Sequence, residues 1–224
     1  MSSEPAHTDD FAKPWETQRR GLLLLVSSPS GAGKTSLSRR LVADHADLIL
    51  SISATTRAPR PGEEEGREYF FKTEEEFERM VQAGELLEWA EVHRARYGTP
   101  KAPVMAALDA GKDVLFDIDW QGAQSVAAHA PADSVRVFVL PPSWSDLSRR
   151  LHARAQDSEE IINFRLDRGR EEIAHWPEYD YVIVNKNFDR AYADLGHIYR
   201  AERMKPGRNP WLPEFVTGLA EERT

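Results

Sequence analysis

An unbroken apolar run, Leu22 to Val26, leads through Ser27 into Ser28, Pro29, Ser30, Gly31, Ala32, Gly33, Lys34, Thr35 and Ser36. A short apolar run bounded by turn residues reads as a buried strand. From Ser36 to Ala46 the apolar residues Leu37, Leu41 and Val42 fall on one helical face, so strand, tight loop and helix follow in order. That order suits a loop that cradles phosphate. Glycines at 31 and 33 let backbone N–H groups turn inward at the positive end of a helix. Lys34 would reach the outer oxygens of a nucleotide, and the Thr35 hydroxyl is placed to ligate magnesium. The usual glycine six positions before the lysine is Ser28 here. A glycine-rich turn that happens to precede a lysine is the plainer alternative, and the flanking strand and helix weigh against it.

At 224 residues the chain is long enough for one α/β core with inserted pieces. Its 37 acidic and 29 basic residues give a formal net charge of -8, which argues against a general nucleic-acid binder but permits a local basic pocket for a phosphorylated small molecule. The absence of cysteine excludes a disulfide framework and a thiolate metal site, and is consistent with a cytoplasmic setting. No run approaches the roughly 18 apolar residues of a membrane span, so no membrane partner is expected. Met1 to Arg20 is polar, lacks the apolar segment of a signal peptide and reads as a disordered extension. From Lys205, the residues Pro206, Gly207, Pro210 and Pro213 break the periodicity, so 205–224 reads as an irregular tail.

Short β-rich runs at Leu22–Val26, Leu48–Ile52, Val114–Phe116, Val135–Leu140 and Tyr181–Val184, mostly separated by helical patterns, predict an α/β layout around a mainly parallel sheet. Thr73 with Glu76 is a capping-box signature for a helix that stops near Gly84; Asp157 with Glu160 offers a weaker one. Two regions depart from the alternation. Residues from Thr55 to about Tyr97 carry a Pro/Gly/Arg-rich loop and strand candidates at Tyr69–Phe71 and Leu86–Val92 flanking a helix, which suggests an inserted small sheet. Trp144 to Arg170 holds six arginines and few large apolar residues, and reads as a mobile, charged helical flap.

Asp117 ends an apolar strand and Asp119 follows two residues later. Ligands bind at strand ends in parallel sheets, so Asp117 there can orient magnesium through its waters; helix capping is the alternative for either residue. Arg57 and Arg60 sit three apart in a proline-stiffened loop, where two guanidinium forks can meet one phosphate with a tyrosine such as Tyr69 adding a donor. Solvated surface arginines are the bland reading. The seven histidines show no metal-cluster spacing, and the tryptophans read as packing residues.

Taken together, the phosphate loop, Ser53 to Gly62 with Tyr69, Leu87-Glu88-Trp89 followed by Tyr97-Gly98-Thr99, the turn from Asp117 through Asp119 to Gly122, Arg154 to Arg165, and Val182 to Asn185 resemble the guanylate kinase family over roughly Gly21 to Arg200. The resemblance implies a P-loop kinase fold with a five-stranded core sheet, a GMP-binding small mixed sheet inserted at about 54–99 and a helical lid at about 144–170, within a domain spanning 21–204. It implies ATP and GMP or dGMP as substrates, with Mg²⁺, and leaves a homo-oligomer open. Ser53, Glu88 and Thr99 would hold guanine; Arg57, Arg60, Tyr69 and Tyr97 would hold the GMP phosphate, with Asp119 lining the pocket. Arg154 and Arg165 would act with Lys34 on the transferring group, Arg150 would join that cluster, and Asn185 would lie near adenine. Lys186 stands where many relatives carry an acid, so it is given no role. A carboxylate at 88 suits guanine, whose N1–H and amino group lie side by side; adenine would leave it short of donors. A non-catalytic phosphopeptide-binding relative would be expected to lose the loop and flap arginines. A ribose-phosphate kinase would be expected to lack Ser53, Glu88 and Thr99.

Overall fold

The structure, a computed structural model, describes residues 19–92, 94–153 and 158–222. A five-stranded, fully parallel sheet runs in the order β2-β7-β1-β8-β9, from β1 (Leu23–Ser27), β2 (Leu48–Leu50), β7 (Asp113–Asp117), β8 (Ser134–Leu140) and β9 (Tyr181–Val184). Strand β1 lies at its centre because every residue from Leu22 to Val26 is apolar: a strand covered on both faces tolerates no polar alternation. Leu24 and Val26 face α1 (Lys34–Asp44) and α7 (Phe188–Arg203), meeting Leu37, Leu41, Leu195 and Tyr199. Leu23 and Leu25 face α3 (Lys101–Asp109) and α4 (Trp120–His129), meeting Leu108, Phe116 and Val126. No described helix is long and apolar enough to cross a membrane.

A second, four-stranded mixed sheet, ordered β4-β3-β6-β5, is inserted after β2. It is built from β3 (Ala54–Thr55), β4 (Phe70–Phe71), β5 (Leu86–Val92) and β6 (Ala95–Pro100). The expected capping box opens α2 (Glu74–Gln82): the Thr73 hydroxyl accepts the Glu76 N–H at 3.1 Å while the Glu76 carboxylate accepts the Thr73 N–H at 2.8 Å. The chain then turns at Gly84, with φ +65°. Strands β3 and β6 are additions to the elements expected from sequence. Gly98 belongs in β6 because a Cβ there would lie 2.8 Å from the Glu88 carbonyl and from Trp89 Cβ.

The flap region contains α5 (Trp144–Ala153) and α6 (Glu159–Ile173). Leu147, Leu151 and Ile162 are buried, so the apolar residues it does contain suffice to seat part of it on the core. Ser158 caps α6; Asp157, expected as the cap, lies outside the described residues, as does Arg154.

Described structure continues on either side of the expected limits, 21 and 204. Residues 1–18 of the expected extension lie outside the described residues, whereas Arg19 and Arg20 are anchored. Arg20 forms a two-pronged pair with Asp133 at 2.7 Å, and Arg19 meets buried Asp113 at 2.5 Å. The expected irregular tail contains a 3₁₀ turn at Pro206–Arg208 and α8 (Leu212–Glu221). Pro206 and Pro213 occupy first-turn positions, where the missing N–H costs no helical bond, so these prolines start elements instead of ending them.

Candidate active site

The loop between β1 and α1 sits at the carboxyl end of the parallel sheet, where ligands of such folds bind. Gly31 and Gly33 adopt φ of +93° and +101°, the left-handed region that turns successive N–H groups toward one centre. At Gly33 no larger residue fits, since a Cβ would lie 2.4 Å from the Asn185 side-chain nitrogen. A cavity of about 270 Å³ takes in Ser28, Pro29, Ser30, Gly31, Gly33, Lys34, Thr35 and Ser36, together with Asp117, Asp119 and Glu172. Ala32 is buried beneath it, its carbonyl accepting from Asn185 Nδ2 at 2.7 Å and from Arg150 at 3.3 Å. Asn185 is only 4 % exposed and its amide is engaged under the loop, so the described contact is with the phosphate loop.

Lys34 is aimed across the cavity. Its Nζ donates to the Ile118 carbonyl at 2.7 Å and pairs with Asp117 at 2.8 Å, joining the start of α1 to the end of β7. Asp119 caps α4 by accepting the Gly122 N–H at 2.9 Å and also lines the cavity, so capping and site-lining coincide in one residue. The Thr35 hydroxyl and Asp117 carboxylate supply oxygen donors only, which suits a magnesium ion that keeps most of its waters.

The inserted sheet carries the second half of the site. Glu88 on β5 and Thr99 on β6 are cross-strand partners, and the Thr99 hydroxyl donates to Glu88 at 2.7 Å. Burial pushes the Glu88 carboxyl above the ordinary carboxylate range; the Thr99 hydroxyl opposes this, and the nearby charge of Asp119 adds to it. Asp119 therefore lies within electrostatic reach of the guanine-reading candidate while lining the phosphate cavity. Ser53, just before β3, accepts the Phe70 N–H through its carbonyl at 2.9 Å.

Arg57, Tyr69 and Tyr97 come together as a group. The Arg57 guanidinium stands 5.3 Å from the Tyr69 ring centre, and the Tyr69 and Tyr97 rings meet edge to face at 5.9 Å. Arg60 is exposed on the adjoining loop. Glu63, given no role from sequence, accepts from Arg57 with both oxygens at 2.9 Å and from the Arg60 N–H at 2.8 Å. Those contacts, led by the Arg60 N–H, hold its carboxyl below the ordinary range. Glu63 aims Arg57, so Glu63→Gln is expected to raise the KM for GMP about tenfold with kcat little changed, by analogy with other losses of uniform binding. A lowered KM in steady-state kinetics would mean that Glu63 competes with the phosphate.

Arg165 lies on α6, and Glu172, two turns further on, was also without a role from sequence. Its only sequence signal is the seven-residue spacing from Arg165, which places both on one helical face.

The guanylate kinase family profile matches residues 20–202. The chain is 60% identical over 203 residues to the guanylate kinase of Caulobacter vibrioides, an alignment covering 91% of this chain and 95% of that protein. It is 55% identical over 216 residues to the guanylate kinase of Maricaulis maris, covering 96% and 99%. The crystal structure of guanylate kinase from Anaplasma phagocytophilum superposes with a TM-score of 0.72 at 35% identity, covering 93% of this chain and all of that one. Phosphate loop, inserted mixed sheet and paired helices thus occur in a chain that belongs to the guanylate kinase family.

Proposed function

We propose that the chain transfers the γ-phosphoryl group of ATP to a phosphate oxygen of GMP or dGMP, giving ADP and the corresponding diphosphate. The observation that carries this reading is the position of Asp119: it lines the phosphate cavity at the start of α4, and α4 is tied to β5 beside Glu88 by the Ser125 hydroxyl, which donates to the Leu87 carbonyl at 2.7 Å, so a phosphate site and a guanine-reading carboxylate adjoin. ATP phosphates occupy the loop 28–36, with Lys34 on their outer oxygens. GMP lies against the insertion at about 54–99, its base on Ser53, Glu88 and Thr99 and its phosphate on Arg57, Arg60, Tyr69 and Tyr97. A cytoplasmic setting belongs to the same reading, because both substrates are nucleotides of the cell interior.

The acceptor oxygen needs no general base, since the second ionisation of a phosphate monoester lies near pH 6. The protein's work is to bring two polyanions into line and offset their charge. Lys34 would move from Asp117 and the Ile118 carbonyl toward ATP oxygens, and Arg154 and Arg165, from the lid at 144–170, would meet the transferring group. Thr35 directly and Asp117 through water would hold magnesium, which when bound neutralises phosphate charge. Lid closure would exclude the water that otherwise competes with GMP.

Arg165→Ala is expected to lower kcat about 10²-fold while either KM changes by less than about threefold, the pattern of a contact made in the transition state. Steady-state kinetics, run with an EDTA arm that abolishes turnover and a magnesium arm that restores it, checks both the arginine and the metal. A pure KM effect would remove Arg165 from the transferring group, and turnover in EDTA would remove the metal.

A further inference from the structure

Helix α6 approaches the phosphate loop where it lacks a side chain. At Gly169 an added Cβ would lie 3.4 Å from the Trp144 ring and 3.5 Å from Pro29 Cβ, in ordinary contact, so the helix passes within a methyl group's width of the start of the loop. Three residues on, Glu172 enters the phosphate cavity. It shares that cavity with Ser30, Lys34 and Asp119; the Ser30 N–H and the charges of Arg168 and Lys34 favour its ionised form, whereas burial and Asp119 oppose it. Its Oε2 is buried without a hydrogen-bond partner among the described residues, and burial is the main influence raising its pKa. A protein anion thus occupies part of the field that the loop's N–H groups and lysine would offer to phosphate.

Two like charges cannot share that field without cost, so a polyphosphate arriving in the loop acts against Glu172. Glu172 lies on the same face of the same helix as Arg165, and a displacement of one carries the other. We propose that Glu172 is a positioning residue: it competes with nucleotide phosphates for Ser30 and Lys34, and its displacement by them seats Arg165 for the reaction. This rests on the reading of the cavity as the ATP phosphate site. It adds a coupling between phosphate arrival and lid placement, carried by a carboxylate that the reaction itself does not use.

The test is calorimetric titration with Mg-ADP together with steady-state kinetics on the full chain, Glu172→Gln and Glu172→Asp. Glu172→Gln is expected to bind Mg-ADP about fivefold or more tightly and to lose about tenfold in kcat, with the KM for GMP within about twofold. Glu172→Asp, which keeps the charge, is expected to retain the parent's Mg-ADP affinity within about twofold. In an Arg165→Ala background, Glu172→Gln is expected to cause no further loss of kcat, because the two act as one unit. Unchanged or weaker Mg-ADP binding by Glu172→Gln would overturn the proposal, as would Mg-ADP binding by Glu172→Asp as tight as that expected of Glu172→Gln. Losses of kcat that multiply in the double variant would do the same. Failure of the parent to bind Mg-ADP would instead remove the phosphate-site reading, and this proposal with it.

Discussion

Lys34→Ala is expected to lower kcat about 10³-fold, or about 4 kcal/mol of transition-state stabilisation, while the Kd for GMP changes by less than about twofold. The size follows from position. Among the described residues lining the phosphate cavity Lys34 is the one cation, and Ile118 and Asp117 keep its Nζ in the cavity until phosphate oxygens replace them, so its charge is already in the site before the substrate arrives. The expected sparing of GMP follows from the separation of the two halves: none of Arg57, Tyr69, Tyr97, Glu88 and Thr99 takes a described hydrogen bond from Lys34. Pre-steady-state turnover and equilibrium GMP titration on the same preparation check it. An equal loss of GMP affinity would merge the two sites into one. Because the variant leaves Asp117 without its ion-pair partner, a melting curve must accompany the kinetics.

Glu88→Gln is expected to lower kcat/KM for GMP about 10²-fold, near 2.7 kcal/mol, with the KM for ATP little changed. The glutamine carbonyl can still accept the Thr99 hydroxyl, which leaves its amide NH₂ facing the N1–H and amino group of guanine, donor against donor. The raised pKa of Glu88 adds a pH signature. Guanine binds the ionised carboxylate, so GMP binding must release a proton when Glu88 is protonated in the free protein. Below that raised pKa, affinity falls about tenfold per pH unit; above it, affinity levels off. The same shift makes ionised Glu88 a burden on the free fold, with stability falling as pH rises from the unfolded value through the folded one and constant beyond it. Calorimetry in two buffers of different ionisation enthalpy separates the proton released by Glu88 from the ionisation of the GMP phosphate, because only the former vanishes in Glu88→Gln. Unchanged GMP kinetics in that variant would remove Glu88 from base recognition.

What could be read from the chain alone depended on whether the signal was local. Strand β9 matches its expected limits and β1, β7 and β8 lie within a residue or two, because apolar runs leave a parallel core no choice of face; β5, in the inserted sheet, also matches its limits. The capping box at Thr73 is likewise a signal complete within four residues. Strands β3 and β6 were not legible: one is two residues long, and the other ends at Pro100 and contains Gly98, which locally reads as a break and fits because β5 lies so close. The anchoring of Arg19 and Arg20 is hidden for the same reason. Nothing near Arg19 or Arg20 in sequence reveals Asp113 and Asp133, the carboxylates that bind them.

The candidate site divides in the same way. Phosphate loop, Glu88 with Thr99, and Arg57 with Tyr69 and Tyr97 were recognisable as motifs, and the fold brings each group together. Glu63 and Glu172 were passed over because a glutamate in a charged loop or on a charged helix is ordinarily solvated; each matters through a group it meets in space. The position of Asn185 beneath Ala32 was likewise a matter of tertiary packing, since β9 must first lie beside β8 to bring it there.

The central claim is that one site holds ATP on the phosphate loop and reads guanine through Glu88 and Thr99. The most direct test measures ADP formation with Mg-ATP and each of GMP, dGMP, AMP, UMP and CMP as acceptor. Rapid turnover confined to GMP and dGMP is the predicted result, with AMP at least about 10⁴-fold poorer in kcat/KM. Comparable rates with AMP, or binding of GMP without turnover under any acceptor, would contradict the account.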